Sequence, residues 1–202
     1  MTNPPSIKGS AFTGVVETVK DLIDKMGVSD EELSRHFSAE DLETVSGFIS
    51  PSRWYDLGLH DRLLQFIREK LGLRTIQETA RASARALIDS GLYQQTVYLK
   101  ENEVTAVSPQ ERSEVLGRNL KITSTMSQML FNCSRWEPKP DPEHPDRHIL
   151  EITEGGAFRD LNLIGIVAFV NEMAGSRGSQ DDLWQWRRVS PDVVELYMTR
   201  AA

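Results

Sequence analysis

The feature that most constrains this chain is a change of period near residue 128. Before it, apolar residues recur three and four apart, the spacing of a helix with one buried face; after it they alternate, the spacing of a half-buried strand. Val15, Val19, Leu22, Ile23 and Met26 form the first helical stripe, closed by Gly27. Ser29 with Glu32 and Ser38 with Asp41 place a cap oxygen three residues ahead of a carboxylate, so two short helices are expected next. Ser50-Pro51 marks the entry to another helix, begun by Trp54 and Tyr55 and carrying Leu59, Leu63, Phe66, Ile67 and Leu71 up to Gly72. Thr75 with Glu78 is expected to cap a helix whose face is made of Ala80, Ser83, Ala84, Leu87 and Ile88. Residues 93–107 fit helix and extended chain equally. Ser108-Pro109-Gln110-Glu111 then starts a helix expected over 109–127.

Beyond 128, Met129, Phe131 and Cys133 alternate with Leu130, Asn132 and Ser134, and Leu150 and Ile152 alternate with Glu151 and Thr153. Two strands joined through 138–146 are expected, then a helix over about 160–174, then a second hairpin turning at Ser190-Pro191-Asp192. The order predicts an α+β fold in which N-terminal helices pack on a four-stranded antiparallel sheet, its C-terminal half a hairpin-helix-hairpin. With 202 residues, a single domain over 1–202 is expected: a flexible N-terminus at 1–10, a helical part at 11–127 and a sheet part at 128–200.

Charge excludes one class of partner. A net charge of -7 and a pI near 5.2 leave no broad basic surface for nucleic acid. One cysteine excludes an internal disulfide framework and fits a reducing cytoplasm. The N-terminus has no secretory signal pattern, and the most apolar run, "LNLIGIVAFV" at 161–170, is half the roughly 20 residues a membrane span needs and contains Asn162. It reads as a buried helix. No phosphate loop, dinucleotide fingerprint, nucleophile elbow or His-Glu-x-x-His is present, so no enzyme activity and no cofactor are expected.

Three groups of residues are candidates for a site. Cys133, His144 and His148, with Asp141, have the donor types of a zinc set and offer a metal-dependent enzyme or metal sensor as an alternative reading. Against it, prolines at 138, 140, 142 and 145 forbid the helix that would align the histidines, which then read as solvated loop residues, and Cys133 reads as the core face of a strand. Trp54, Tyr55, Met126, Met129 and Phe131 gather bulky apolar groups at the helix-to-sheet junction and are the candidate ligand pocket. Trp184, Trp186 and Arg188 share one face of a strand: exposed, that face is an interface; covered by a helix, it is core.

The segments "KGSAFTGVVETVKDLIDKMG", "SPSRWYDLGLHDRLLQFIREKLG" and "ARASARALIDSGLY", with the final hairpin-helix-hairpin, resemble a myxobacterial paralogous family of uncharacterised proteins of about this length. That family is similar in fold to haem nitric-oxide-binding sensors, 4-vinyl-reductase-type domains and TRAPP subunits. The resemblance implies a bacterial signalling or regulatory domain of α+β fold, whose relatives bind haem, aromatic effectors, acyl chains or other subunits. This chain departs from the haem sensors: 109–127 contains no histidine, and no Tyr-x-Ser-x-Arg clamp exists. It departs from the reductase-type domains in having no cysteine in the last hairpin. The reading that follows is a non-enzymatic module, with a homodimer among its expected assemblies, that engages a protein partner or holds an apolar small molecule between helices and sheet.

Overall fold

The structure, a computed structural model, describes residues 4–90, 108–174 and 182–201. The segment 93–107 lies outside the described residues. The N-terminus is ordered from β1 (Ser6–Lys8), which leads directly into α1 (Gly9–Met26). β1 pairs antiparallel with β2 (Trp54–Asp56), Ile7 opposite Tyr55. The expectation of a flexible N-terminus through residue 10 is therefore corrected: Ile7 and Phe12 are buried, and the Gly9 N–H donates to the Arg53 carbonyl. A side chain at Gly9 would begin 2.0 Å from the Ser50 carbonyl oxygen, so only glycine lets α1 start this close to that loop.

Two helix starts correct the sequence expectations. Trp54 and Tyr55 belong to β2, and α4 (Leu57–Leu71) begins after Asp56, whose carboxylate accepts from the Gly58 and Leu59 N–H groups. The turn at Ser50-Pro51 thus sits one element earlier than its cap-like sequence suggests. α5 (Leu73–Asp89) starts two residues before Thr75, whose hydroxyl donates back to the Leu71 carbonyl, while Glu78 accepts from Arg74. Competing partners within a turn of helix disable that capping box. The other caps form: Ser29 on α2 (Asp30–His36), and reciprocal boxes on α3 (Ala39–Ser46) and α6 (Pro109–Leu130). Asp41, besides closing its box, receives the Arg62 guanidinium through two bonds of 3.1 and 2.7 Å, fixing α3 to α4.

The sheet begins later than the alternation at 129–134 indicates. Met129 and Leu130 finish α6, Phe131 makes only an isolated bridge to Ile7, and the strand is β3 (Arg135–Pro140). Two prolines lie inside it because β3 is an edge strand in the order β3-β4-β6-β5. The Asp141 N–H donates inward to the Arg147 carbonyl, so odd positions face β4 and the missing N–H groups of Pro138 and Pro140 fall on the outer side. β4 (His148–Thr153), β5 (Trp184–Ser190) and β6 (Val193–Met198) complete the antiparallel sheet. A 3-10 turn at Gly155–Ala157 precedes α7 (Asp160–Ala174). The α+β architecture stands, with one apolar core running from Phe12 and Phe66 in the helices to Leu150, Leu163, Trp184 and Leu196 in the sheet half. Arg81 and Arg85 of α5 pair with Glu172 of α7, and Arg81 also reaches Asp182, so the two halves are tied at their rim. Among the described residues no helix is long and apolar enough to cross a membrane.

Candidate functional site

Where α1, α4, α5, α6 and α7 meet above the start of the sheet, they leave a cavity of about 80 Å³. Its walls are apolar: Val15, Leu64, Ile76, Phe131, Trp136, Ile166, Phe169 and Val170. Ala11, Ala80 and Gly165 keep it open by contributing little volume. The polar groups on it are His60, Asn162, Ser83 and Ser127. Ser127 uses its proton on the Thr123 carbonyl.

His60 and Asn162 define the chemistry. Asn162 sits in the first turn of α7, and its Oδ1 accepts from the Arg159 backbone N–H at 2.8 Å, which caps the helix. That fixes the amide, so its Nδ2 faces His60 Nδ1 at 3.1 Å and donates to it. Burial lowers the His60 pKa to about 4, so the ring is neutral. With Nδ1 accepting, its proton is on Nε2. The arrangement is a neutral imidazole on the wall of a small, mostly apolar chamber.

The residues singled out in the sequence disperse. Of the five pocket candidates only Phe131 lines the cavity, held edge-to-face against Phe158 with ring centroids 5.1 Å apart. Trp54 lies at the surface under the Lys8 ammonium, and Tyr55 is buried, stacked on Phe12 and accepting from the Ser50 N–H. Met126 packs with Ala84, Leu87 and Met173 in a separate small cluster, and Met129 points outward, 66% exposed. They scatter because α6 runs three residues further than expected, turning Met129 off the core face. Of the two alternatives for the Trp184 strand face, the tryptophans take the core one: Trp184 is fully buried, Trp186 packs on the core, and Arg188 donates to the carbonyls of Phe158 and Pro191.

His144 is exposed, as a loop residue should be, but His148 is buried as the first residue of β4, with Gly117 of α6 leaving room for its ring. Cys133 is in the connection before β3 and not in a strand; partial burial raises its pKa. Among the described residues no group of three His, Cys, Asp or Glu side chains is placed to hold a metal ion.

His60 and Asn162 were missed in the sequence. The signal was present for both: His60 interrupts the apolar stripe of Leu57, Leu64 and Ile67, and Asn162 interrupts "LNLIGIVAFV". A polar residue on a buried stripe needs a partner, and these two are each other's.

No family model and no curated protein matches the chain. Solved structures do. The chain is similar to an oxygen-binding H-NOX domain related to soluble guanylate cyclases, with 14% identity, 96% of each chain covered and a TM-score of 0.49. It is similar at 15% identity and a TM-score of 0.49, over 97% of each chain, to an H-NOX-family structure determined to probe haem distortion. A mutant H-NOX from T. tengcongensis aligns at 13% identity and a TM-score of 0.46, over 97% of this chain and 100% of that one. At this level the likeness says nothing of what this chain binds.

The cavity is too small for a haem. Drug-sized ligands occupy pockets of roughly 300–1,000 Å³, several times the 80 Å³ present. His60 is the iron-ligand type of residue in the lining, and its Nδ1 is taken by Asn162.

Proposed function

We propose that this chain is a non-enzymatic binding module whose cavity takes a very small, largely apolar molecule bearing one hydrogen-bond acceptor. The observation that carries the reading is the neutral His60 imidazole on the wall of a mostly apolar chamber. A water molecule's share of liquid volume is about 30 Å³, so the chamber has room for about three non-hydrogen atoms. At a ceiling of about 1.5 kcal/mol per atom, the dissociation constant falls in the millimolar range. Weak, fast-exchanging binding of this kind suits reporting a concentration, not storing a ligand. The acceptor addresses Nε2–H of His60, and the apolar walls take the rest of the molecule.

The test uses Gly165. A methyl group there meets Ile76 Cγ2 at 3.9 Å and Ala80 Cβ at 4.0 Å, ordinary contact distances, so Gly165→Ala fits while reducing the chamber. Alanine in a helix interior is favoured over glycine by about 1 kcal/mol. Gly165→Ala is therefore expected to raise the unfolding temperature by several degrees and to weaken binding of acetonitrile, a three-heavy-atom probe with one acceptor, followed by NMR shifts of residues 60 and 162. Equal binding in the wild type and this stabilised variant would rule the chamber out as the site.

A further inference from the structure

The surface carries an open bowl of about 710 Å³ lined by three arginines from separate parts of the chain. Arg68 comes from α4, Arg159 precedes α7, and Arg188 comes from β5. In a chain of net charge -7, carboxylates outnumber cations, yet among the described residues none of these three forms an ion pair. Arg188 is oriented by its bonds to the carbonyls of Phe158 at 2.7 Å and Pro191 at 3.1 Å, which leaves three of its five donors free. Asp61 lines the same bowl: Oδ2 accepts from Gln65, while Oδ1 is buried with no donor. Asp160 is the second carboxylate on the wall.

Guanidinium groups gathered without partners bind oxyanions, through paired N–H donors that match two oxygens at once. A carboxylate on the same wall, Asp61, repels a fully ionised anion but accepts from one that keeps a proton. Inorganic phosphate carries a proton throughout the neutral range, and a monoester with a second pKa near 6 carries one in part of the population at mildly acidic pH; sulfate does not. We propose that this bowl is an oxyanion site selective for protonated phosphate, free or as a monoester, with Arg68, Arg159 and Arg188 on the ionised oxygens and Asp61 accepting from the P–OH. The floor is firm, because the Gly155 N–H donates to the Asp192 carbonyl and holds the two turns beneath the bowl together.

The full chain is titrated at pH 6.5 and low ionic strength with inorganic phosphate, methyl phosphate and sulfate, read from the arginine side-chain N–H resonances. Saturable shifts at Arg68, Arg159 and Arg188 are expected with phosphate, with sulfate weaker by about tenfold. The more tightly bound of the two phosphates identifies a free anion or an ester as the ligand. Arg68→Ser/Arg159→Ser, at two exposed positions, is expected to abolish the saturation, and Asp61→Asn to bring sulfate up to phosphate. Shifts that never saturate, phosphate binding unchanged in the double arginine variant, or sulfate bound as tightly as phosphate by the wild type would each overturn the proposal.

Discussion

Acidifying the protein from pH 7 to pH 4 is expected to lower its stability by about 3 kcal/mol through His60 alone. In the fold the ring is enclosed and its pKa falls from 6.5 to about 4. Burial is the first cause. The second is that Asn162 presents an N–H to Nδ1 and cannot rotate to offer its oxygen, which is held by the Arg159 N–H. The unfolded chain takes up a proton as pH drops below 6.5 and the folded chain does not, so each unit of pH favours unfolding by about 1.4 kcal/mol until the folded ring also titrates. Stability is complete above 6.5, declines between 6.5 and 4, and levels off below. Burial lowers the pKa of His148 as well and acts in the same direction. Asp41, whose pKa is lowered against the pull of its own burial by Arg62 and Ser38, loses its contribution only below its ordinary value of 3.8, outside this window. Urea unfolding at pH 7, 6, 5 and 4 measures the decline, and His60→Leu should flatten most of it. A wild-type midpoint constant across that range would mean the imidazole is not buried neutral.

The same pair shows what could be read from the sequence. Period and caps located the helices well: Gly27 is left-handed at φ 61, Ser108 and Glu111 close a capping box, and α7 spans the residues expected of it. Those signals are local, and local hydrogen bonds satisfy them. The errors fell where two periods overlap. Met129, Phe131 and Cys133 alternate, but an α-helix already propagating from Ser108 extends for one hydrogen bond per residue, and it runs on to Leu130. Pro138 and Pro140 were placed in the link between the strands, yet they end β3, because an edge position tolerates them, and edge status depends on sheet order, which no local pattern contains. The cavity was the least legible feature, since its seventeen lining residues come from α1, α4, α5, α6, α7 and the β-strands. Two polar residues on buried stripes, 102 positions apart, were the only local trace of it.

Asn171→Leu is expected to be the more damaging substitution, at about 4 kcal/mol, although leucine is apolar and enters an apolar region. The Asn171 side chain accepts from the Trp184 N–H at 2.8 Å and donates to the Trp184 carbonyl at 3.0 Å, both bonds buried. Strand β5 is an edge of the sheet, so at Trp184 the carboxamide supplies what a neighbouring strand's peptide group would. Leucine orphans one buried donor and one buried acceptor, at roughly 2 kcal/mol each. Asn171→Asp separates the two bonds. Its carboxylate still accepts from the N–H but sets an oxygen against the Trp184 carbonyl, so it should be at least as destabilising near neutral pH. On acidification it should regain ground relative to the wild type measured at the same pH, because a protonated carboxyl donates again. Chemical denaturation of the three proteins at pH 7 and pH 5 decides the matter: equal losses for Leu and Asp at both values would show that helix packing, and not the paired bonds to Trp184, fastens α7 to the sheet.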